Sequence, residues 1–292
     1  MRFLQGIRVV EVGTLLPGAQ AASLLKNLGA SVVRVVPPAD GHKGGLPLTF
    51  LQPLNKGKKI LSLDLKSERD RSRLHRELAR ADILLLGLRP QALAKFDLTI
   101  KSLQRRHRRL IICSIVGFPR GPYAEKAGHD LNYLALAGVL GLNRAPGASS
   151  VIPPIPLADL VGGAMRAVIR CLAALTARSK TKKGTAVEVC MTDGVYELLE
   201  FKKTDVLGLL DGKLPRYNVY ACADGGAVAL AALEPKFWIH FCEVVGHPEW
   251  QRWAQTFDEP LSEELKKLFL SRPLAHWRDL GLKHDICLVP VL

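Results

Sequence analysis

A histidine and an aspartate stand side by side at His129 and Asp130, just after Gly128 and at the head of the apolar run "AGHDLNYLALAGVLG". A second aspartate, Asp159, closes the proline-rich "VIPPIPLAD" ahead of another apolar segment. An imidazole titrates near neutrality and can exchange a proton at physiological pH. A carboxyl can do the same only where desolvation raises its pKa. Two such groups on opposite sides of one carbon can take a proton from one face and return one to the other, which is what inverting a stereocentre requires. Free N–H groups at a helix start can hold the oxyanion that forms meanwhile. Taken alone, His129 reads as readily as a capped or core histidine. Positions 129 and 159 share no helix face, so only the fold can bring them together.

Other chemistries fall away. "EVGTLLPGAQ", after the first apolar run, lacks the glycine spacing of a dinucleotide fingerprint, and no P-loop, H-E-x-x-H or G-x-S-x-G pattern occurs. The eight histidines are dispersed, so no metal site is expected. Six cysteines (Cys113, Cys171, Cys190, Cys222, Cys242 and Cys287) follow no framework and read as small buried hydrophobes. The formal charge of +14 suits a polyanionic small molecule. "RDRSRLHRELAR" has helical spacing with Leu74, Leu78 and Ile83 turned inward, so its arginines form a solvated face. Nucleic acid is supported by charge alone and is not expected. No run of about 18 apolar residues suggests a membrane span, and the start resembles no signal peptide, so the expectation is a cytoplasmic protein without membrane attachment.

The elements that must position these residues alternate. Strands are predicted at "IRVVEVG", "SVVRVVP", "ILSLDL", "ADILLLGL", "RLIICSIVGF" and "GTAVEVCM", with helices at "GAQAASLLKNLG", at "SERDRSRLHRELAR" with Ser67 as N-cap, from about Leu160 to Ala177, and along "TDGVYELLEFKKTDVLGLL". This is the pattern of βαβ units and a parallel sheet. At "YNVYACADGGAVALAAL" it changes to two alternating runs joined by Asp224 and Gly225, a hairpin signal, and the chain ends on the strand-like "ICLVPVL". With 292 residues the chain has room for a large α/β domain over 1–205 and a smaller α+β domain over 206–292.

Read in order, "LQGIRVVEVGTLLPGAQAASLLKNLGASVVRVVPP", "NKGKKILSLDLKS", "ADILLLGLRPQALAKFDL", "AGHDLNYLALAGVLG", "PPIPLADLVGGAMRAV", "KKGTAVEVCMTDG", "YNVYACADGGAVALAALEPKFW" and "HDICLVPVL" resemble the family III CoA-transferases from about Leu4 to Leu292. "GHD" and "PLADLVGG" are most similar to the α-methylacyl-CoA racemase branch. The resemblance implies a Rossmann-like parallel-sheet domain with a small α+β domain, and an interlocked homodimer. It implies an acyl-CoA substrate whose coenzyme A is part of the substrate, with no separate cofactor. In the racemase branch His129 and Asp159 would face each other across the substrate's α-carbon, and Glu234 would reach the site from the small domain of the other subunit. In the transferase branch Asp159 would instead be the nucleophile that carries the acyl group. A CoA-ester-binding homologue with reduced activity is a third implication.

The coenzyme A phosphates need cations and backbone donors. Arg34, Arg89, and Lys56 or Lys59 fall at family positions lining that region. Asp130 belongs to the same neighbourhood as a helix cap or orienting group. The sequence departs from the family pattern at Val36, at Gln91 and at Phe96-Asp97, positions around the cofactor pocket rather than the acid/base pair. Family members also continue past "PVL" with a segment that returns to the large domain, so a shortened C-terminus is expected.

Overall fold

A computed structural model describes residues 2–38, 48–88, 90–143, 150–203, 210–253 and 259–292, and divides the chain into two units, Met1–Leu199 and Glu200–Leu292. The junction expected at 205/206 lies outside the described residues.

In the first unit β1 (Arg8–Val12), β2 (Ser31–Val36), β3 (Lys59–Ser62), β4 (Ile83–Leu86), β5 (Ile111–Val116) and β6 (Ala186–Cys190) form one sheet. Their order is β3-β2-β1-β4-β5-β6, and every pairing is parallel. The central strands are apolar on both faces because both are covered. Val9, Val32, Ile83, Leu85, Ile111 and Cys113 belong to one buried cluster, while Val10, Val33, Leu84, Leu86 and Ile112 belong to another.

Connecting helices supply the two covers. On the first face lie α1 (Leu16–Asn27), which buries Ala21, Ala22 and Leu25, and the long helix described below. After the short α2 (Gln52–Asn55), the second face is covered by α3 (Glu68–Leu78), α4 (Pro90–Lys95) and α5 (Ile100–Arg106). Leu74 and Leu78 of α3 point inward as their spacing predicts. Ser67 occupies the N-cap position, yet its side chain makes no capping hydrogen bond. Helix α5 was hidden by its charge; its start is marked by Thr99, whose side chain accepts from Ser102 N–H at 3.2 Å.

Past β5 come α6 (Asp130–Leu136) and α7 (Val139–Leu142). A π-helical stretch, Ala158–Met165, then runs directly into α8 (Arg166–Thr181). By length and composition Ala158–Thr181 could cross a membrane. Here Ala158, Ala164, Ala167, Val168, Cys171 and Ala174 of it enter the core. After β6 the chain forms α9 (Met191–Tyr196) and a 3₁₀ segment, Glu197–Lys203, in place of one long helix.

The second unit carries the predicted hairpin, β7 (Tyr217–Ala221) and β8 (Ala227–Ala231), with β9 (Leu288–Pro290) as third antiparallel strand. Gly225 takes a left-handed backbone, φ +83°, which lets the chain reverse there. Helices α10 (Pro235–Val244), α11 (Glu259–Leu270) and α12 (Leu274–Lys283) close over Trp238, Phe241 and Phe269, all fully buried. Two of the buried tryptophans satisfy their N–H on backbone carbonyls: Trp238 Nε1 donates to Trp250 O and Trp277 Nε1 to Phe269 O, each at 3.0 Å. All six cysteines are free; Cys113, Cys171, Cys222 and Cys242 are buried, and Cys190 and Cys287 are half-buried.

Candidate active site

In this strand order the chain runs outward from β1 to one edge and from β4 to the other, so the connections diverge between β1 and β4 and leave a crevice past their carboxyl ends. A cleft of about 210 Å³ occupies that place. Thr14, Leu15 and Pro17 line it after β1, Gly87 and Leu88 after β4, Gly117 and Phe118 after β5, and Met191 after β6. His129 and Asp159 line this same cleft. The fold therefore brings together the two groups that the sequence could only place on separate segments.

His129 is the N-cap of α6, with an extended backbone, and it is exposed. Its own N–H donates to Asn132 Oδ1 at 3.1 Å, which fixes the entry into the helix. Tyr133, one turn further, is buried behind it and donates its hydroxyl to Gly128 O at 2.5 Å. The ring also packs edge-on against Phe118, with centroids 5.0 Å apart. His129 thus stands on a wall built by two aromatic rings.

Asp159 lies in the first turn of the π-helical stretch. Burial, and after it the charge of Asp130, push its carboxyl up to about 7. Its backbone N–H donates to Asp130 Oδ1 at 2.8 Å, tying the two segments together beside the cleft. Gly162 and Gly163, one turn on, let this helix approach α9 and α1: a Cβ on Gly162 would stand 2.5 Å from Met191 O, and one on Gly163 2.9 Å from Pro17 Cβ. Gly162→Ala is expected to cost about 1–3 kcal/mol in denaturant unfolding and to displace Asp159, because its obstacle is backbone and cannot rotate away.

The remaining predicted residues are placed differently. Arg34 does not face the cleft. It is buried, 6% exposed, with Nη1 donating to Glu11 Oε1 at 2.6 Å. Lys58, which the sequence did not single out, donates to Glu11 Oε2 and to Ala19 O, each at 2.9 Å, and the Thr14 hydroxyl also donates to Glu11. Burial holds Lys58 below the usual lysine range even with Glu11 beside it. This triad lies under the β1–α1 turn and positions its cleft-lining residues.

Lys56 is exposed, and its carbonyl accepts from Lys26 Nζ at 2.8 Å. Lys59 opens β3 at its amino end, the end away from the cleft, and pairs with Glu77 at 3.5 Å. Arg89 lies outside the described residues, directly after the cleft-lining Leu88. Asp130 does not line the cleft; its carboxylate is engaged by the Asp159 segment. Glu234, exposed at the N-cap of α10, belongs to the second unit. One cleft cation was missed, Lys126, because nothing in "AEKAGHD" distinguishes it from a solvated lysine. Among the described residues no three of His, Cys, Asp or Glu gather into a metal site.

The sequence profile of CoA-transferase family III matches residues 4–292. The chain belongs to that family. It is 35% identical to the alpha-methylacyl-CoA racemase of Homo sapiens over 99% of this chain and 78% of that protein. An acetyl-CoA:oxalate CoA-transferase from Acetobacter aceti is 27% identical over 98% of this chain and 80% of its own length. Among solved structures, Rv3272 from M. tuberculosis superposes with a TM-score of 0.84 at 25% identity, covering 100% of this chain and 83% of that one. The Rossmann-like sheet order is therefore the order of a family III enzyme, and both of its chemistries, racemisation and CoA transfer, occur among the relatives.

Proposed function

We propose that the protein is a 2-methylacyl-CoA racemase, acting in the cytoplasm as a homodimer and needing no cofactor beyond the coenzyme A of its substrate. The observation that carries this reading is that His129 and Asp159 line one cleft while Asp159 is held up to about 7. A carboxyl with that pKa is present in both protonation states near neutrality, as a group that must act as acid in one direction and base in the other requires. A nucleophilic carboxylate gains nothing from a proton, so the same observation weighs against acyl transfer through Asp159.

In the proposed reaction one of the pair removes the α-proton, and the thioester carbonyl takes up the negative charge as an enolate. The other group then returns a proton to the opposite face. The Asp130 N–H, first in α6, has no intrahelical acceptor, and it is the proposed donor to the enolate oxygen. Leu15, Leu88, Phe118 and Met191 give the cleft an apolar lining suited to a branched acyl chain. Coenzyme A phosphates would be met by cations, with Lys126 of the cleft lining and Arg89 as the proposed contacts. The homodimer reading is supported by exposed Leu136, Met165, Ile169 and Tyr196 on α6, the long helix and α9. Glu234 of a second copy is the proposed additional acidic group. The six free thiols suit a reducing compartment.

The test is incubation of a single epimer of a 2-methylacyl-CoA in heavy water. The expected result is deuterium at the α-carbon together with loss of optical purity. Turnover without α-exchange, with a hydroxylamine-sensitive adduct on Asp159, would establish the transferase instead. Calorimetric binding of the thioester with neither outcome would leave a CoA-ester binder.

A further inference from the structure

The residue next to the proposed base takes the orienting role expected of it, and the neighbour it holds is the Asp159 segment. Asp130 is half-buried, opens α6, and is absent from the cleft lining. Its Oδ1 accepts from the N–H of Asp159 at 2.8 Å, and its carboxylate also accepts from Ala158 N–H. These are the first N–H groups of the π-helical stretch, which have no acceptor within their own helix. One short side chain thus joins the segment carrying His129 to the segment carrying Asp159.

We propose that Asp130 is a positioning residue for the reaction: it clamps the start of the Asp159 helix to the start of α6 and sets a negative charge behind the carboxyl that must carry a proton. The inference rests on the racemase reading and adds to it the group that sets the spacing and the charge state of the pair. A reacting pair gains most when its geometry is fixed before substrate arrives.

The charged groups around Asp159 single out Asp130. Helix α1 carries only Lys26, in its last turn, and α9 carries Asp193. Strand β6 offers Glu188 and Cys190. Helix α8 begins with Arg166, which is paired with Glu197, and continues with Arg170. His129 and Lys126 line the cleft with Asp159. Among them only the Asp130 charge acts appreciably on the Asp159 carboxyl.

Asp130→Asn separates the two parts of the role, since the amide oxygen still accepts from the Asp159 N–H while the charge is gone. The first readout is a carbon-13 titration of the full protein labelled at aspartate carboxyls, with the Asp159 signal assigned by its loss in Asp159→Asn. The parent midpoint is expected near 7, the value to which burial and Asp130 together raise it. In Asp130→Asn it should fall by about one pH unit, the scale of a nearby like charge. For the epimer whose α-proton His129 removes, the high-pH limb of inversion should fall with it, with kcat reduced and KM little changed.

An unmoved midpoint in a folded Asp130→Asn would overturn the proposal. So would a change in activity that scales the whole pH profile without shifting it. Should Asp130→Asn not fold, Asp130→Ser, whose hydroxyl oxygen can accept the same N–H, gives the same two outcomes. The titration needs no turnover. A parent that fails to exchange the α-proton would therefore overturn the reaction reading alone, and an unmoved midpoint the role of Asp130 alone.

Discussion

Asp159→Asn should abolish inversion of a bound 2-methylacyl-CoA while the epimer whose α-proton faces His129 still exchanges with solvent. An amide can neither take nor give the second proton, so the enolate formed by His129 returns to its starting configuration. Loss of a positioned acid or base costs about 10²–10⁴-fold, and inversion, which needs both groups, should fall by at least that factor. His129→Ala should give the mirror result, with exchange surviving only on the other epimer. Chiral analysis and deuterium content of each epimer, measured together, separate the two steps. Equal loss of exchange on both epimers in either variant would show that the groups do not serve opposite faces.

The same substitution has a consequence for stability. The Asp159 carboxyl has a folded pKa of about 7 against an ordinary value of 3.8, so the folded chain retains a proton that the unfolded chain has already released. Stability is therefore lost as pH rises from about 4 and the loss is complete above about 7. Asp159→Asn carries no such penalty. Its Tm should exceed that of the parent at pH values above 7 and converge with it on acidification toward pH 4. A difference in Tm that stays constant across this range would contradict the assignment.

The second large effect is expected beneath the cleft. Glu11 is 1% exposed and is the counter-charge of both Arg34 and Lys58. Glu11→Ala leaves two cations buried without an anion, and breaking a buried pair in this way costs about 3–5 kcal/mol. The loss should appear as a lower denaturant midpoint with an unchanged slope. It should also loosen the cleft, because Glu11 accepts from the Thr14 hydroxyl and Lys58 holds Ala19 O, at either end of the cleft-lining turn. Lys59→Ala is the control. Its pair with Glu77 is exposed, and its removal should cost no more than about 1 kcal/mol. If Glu11→Ala cost as little, the triad would not be what holds the turn.

The resemblance carried the family, and the alternation of apolar runs with amphipathic segments carried the sheet. Strands β1, β2, β4, β5 and β6 fall within the predicted runs, most plainly β4, whose four residues are apolar and buried because both faces are covered. The hairpin was equally legible, since Asp224-Gly225 and the alternation on either side are local signals. Helix α5 was less so, because the four arginines within 105–109 hide a helix that buries only Leu103.

What the sequence by itself determined is the set of elements, since local periodicity and turn chemistry act over a few residues, together with the identity of His129 and Asp159 as groups able to move protons. Only the tertiary structure decided where the charges went. Arg34 reads as a phosphate contact, and Lys58 is not singled out, until the strand order brings both onto Glu11. Asp130 becomes the clamp on Asp159 only once two distant segments pack. Burial and partnership set the charge of an ionisable group, and both are properties of neighbours distant in the chain.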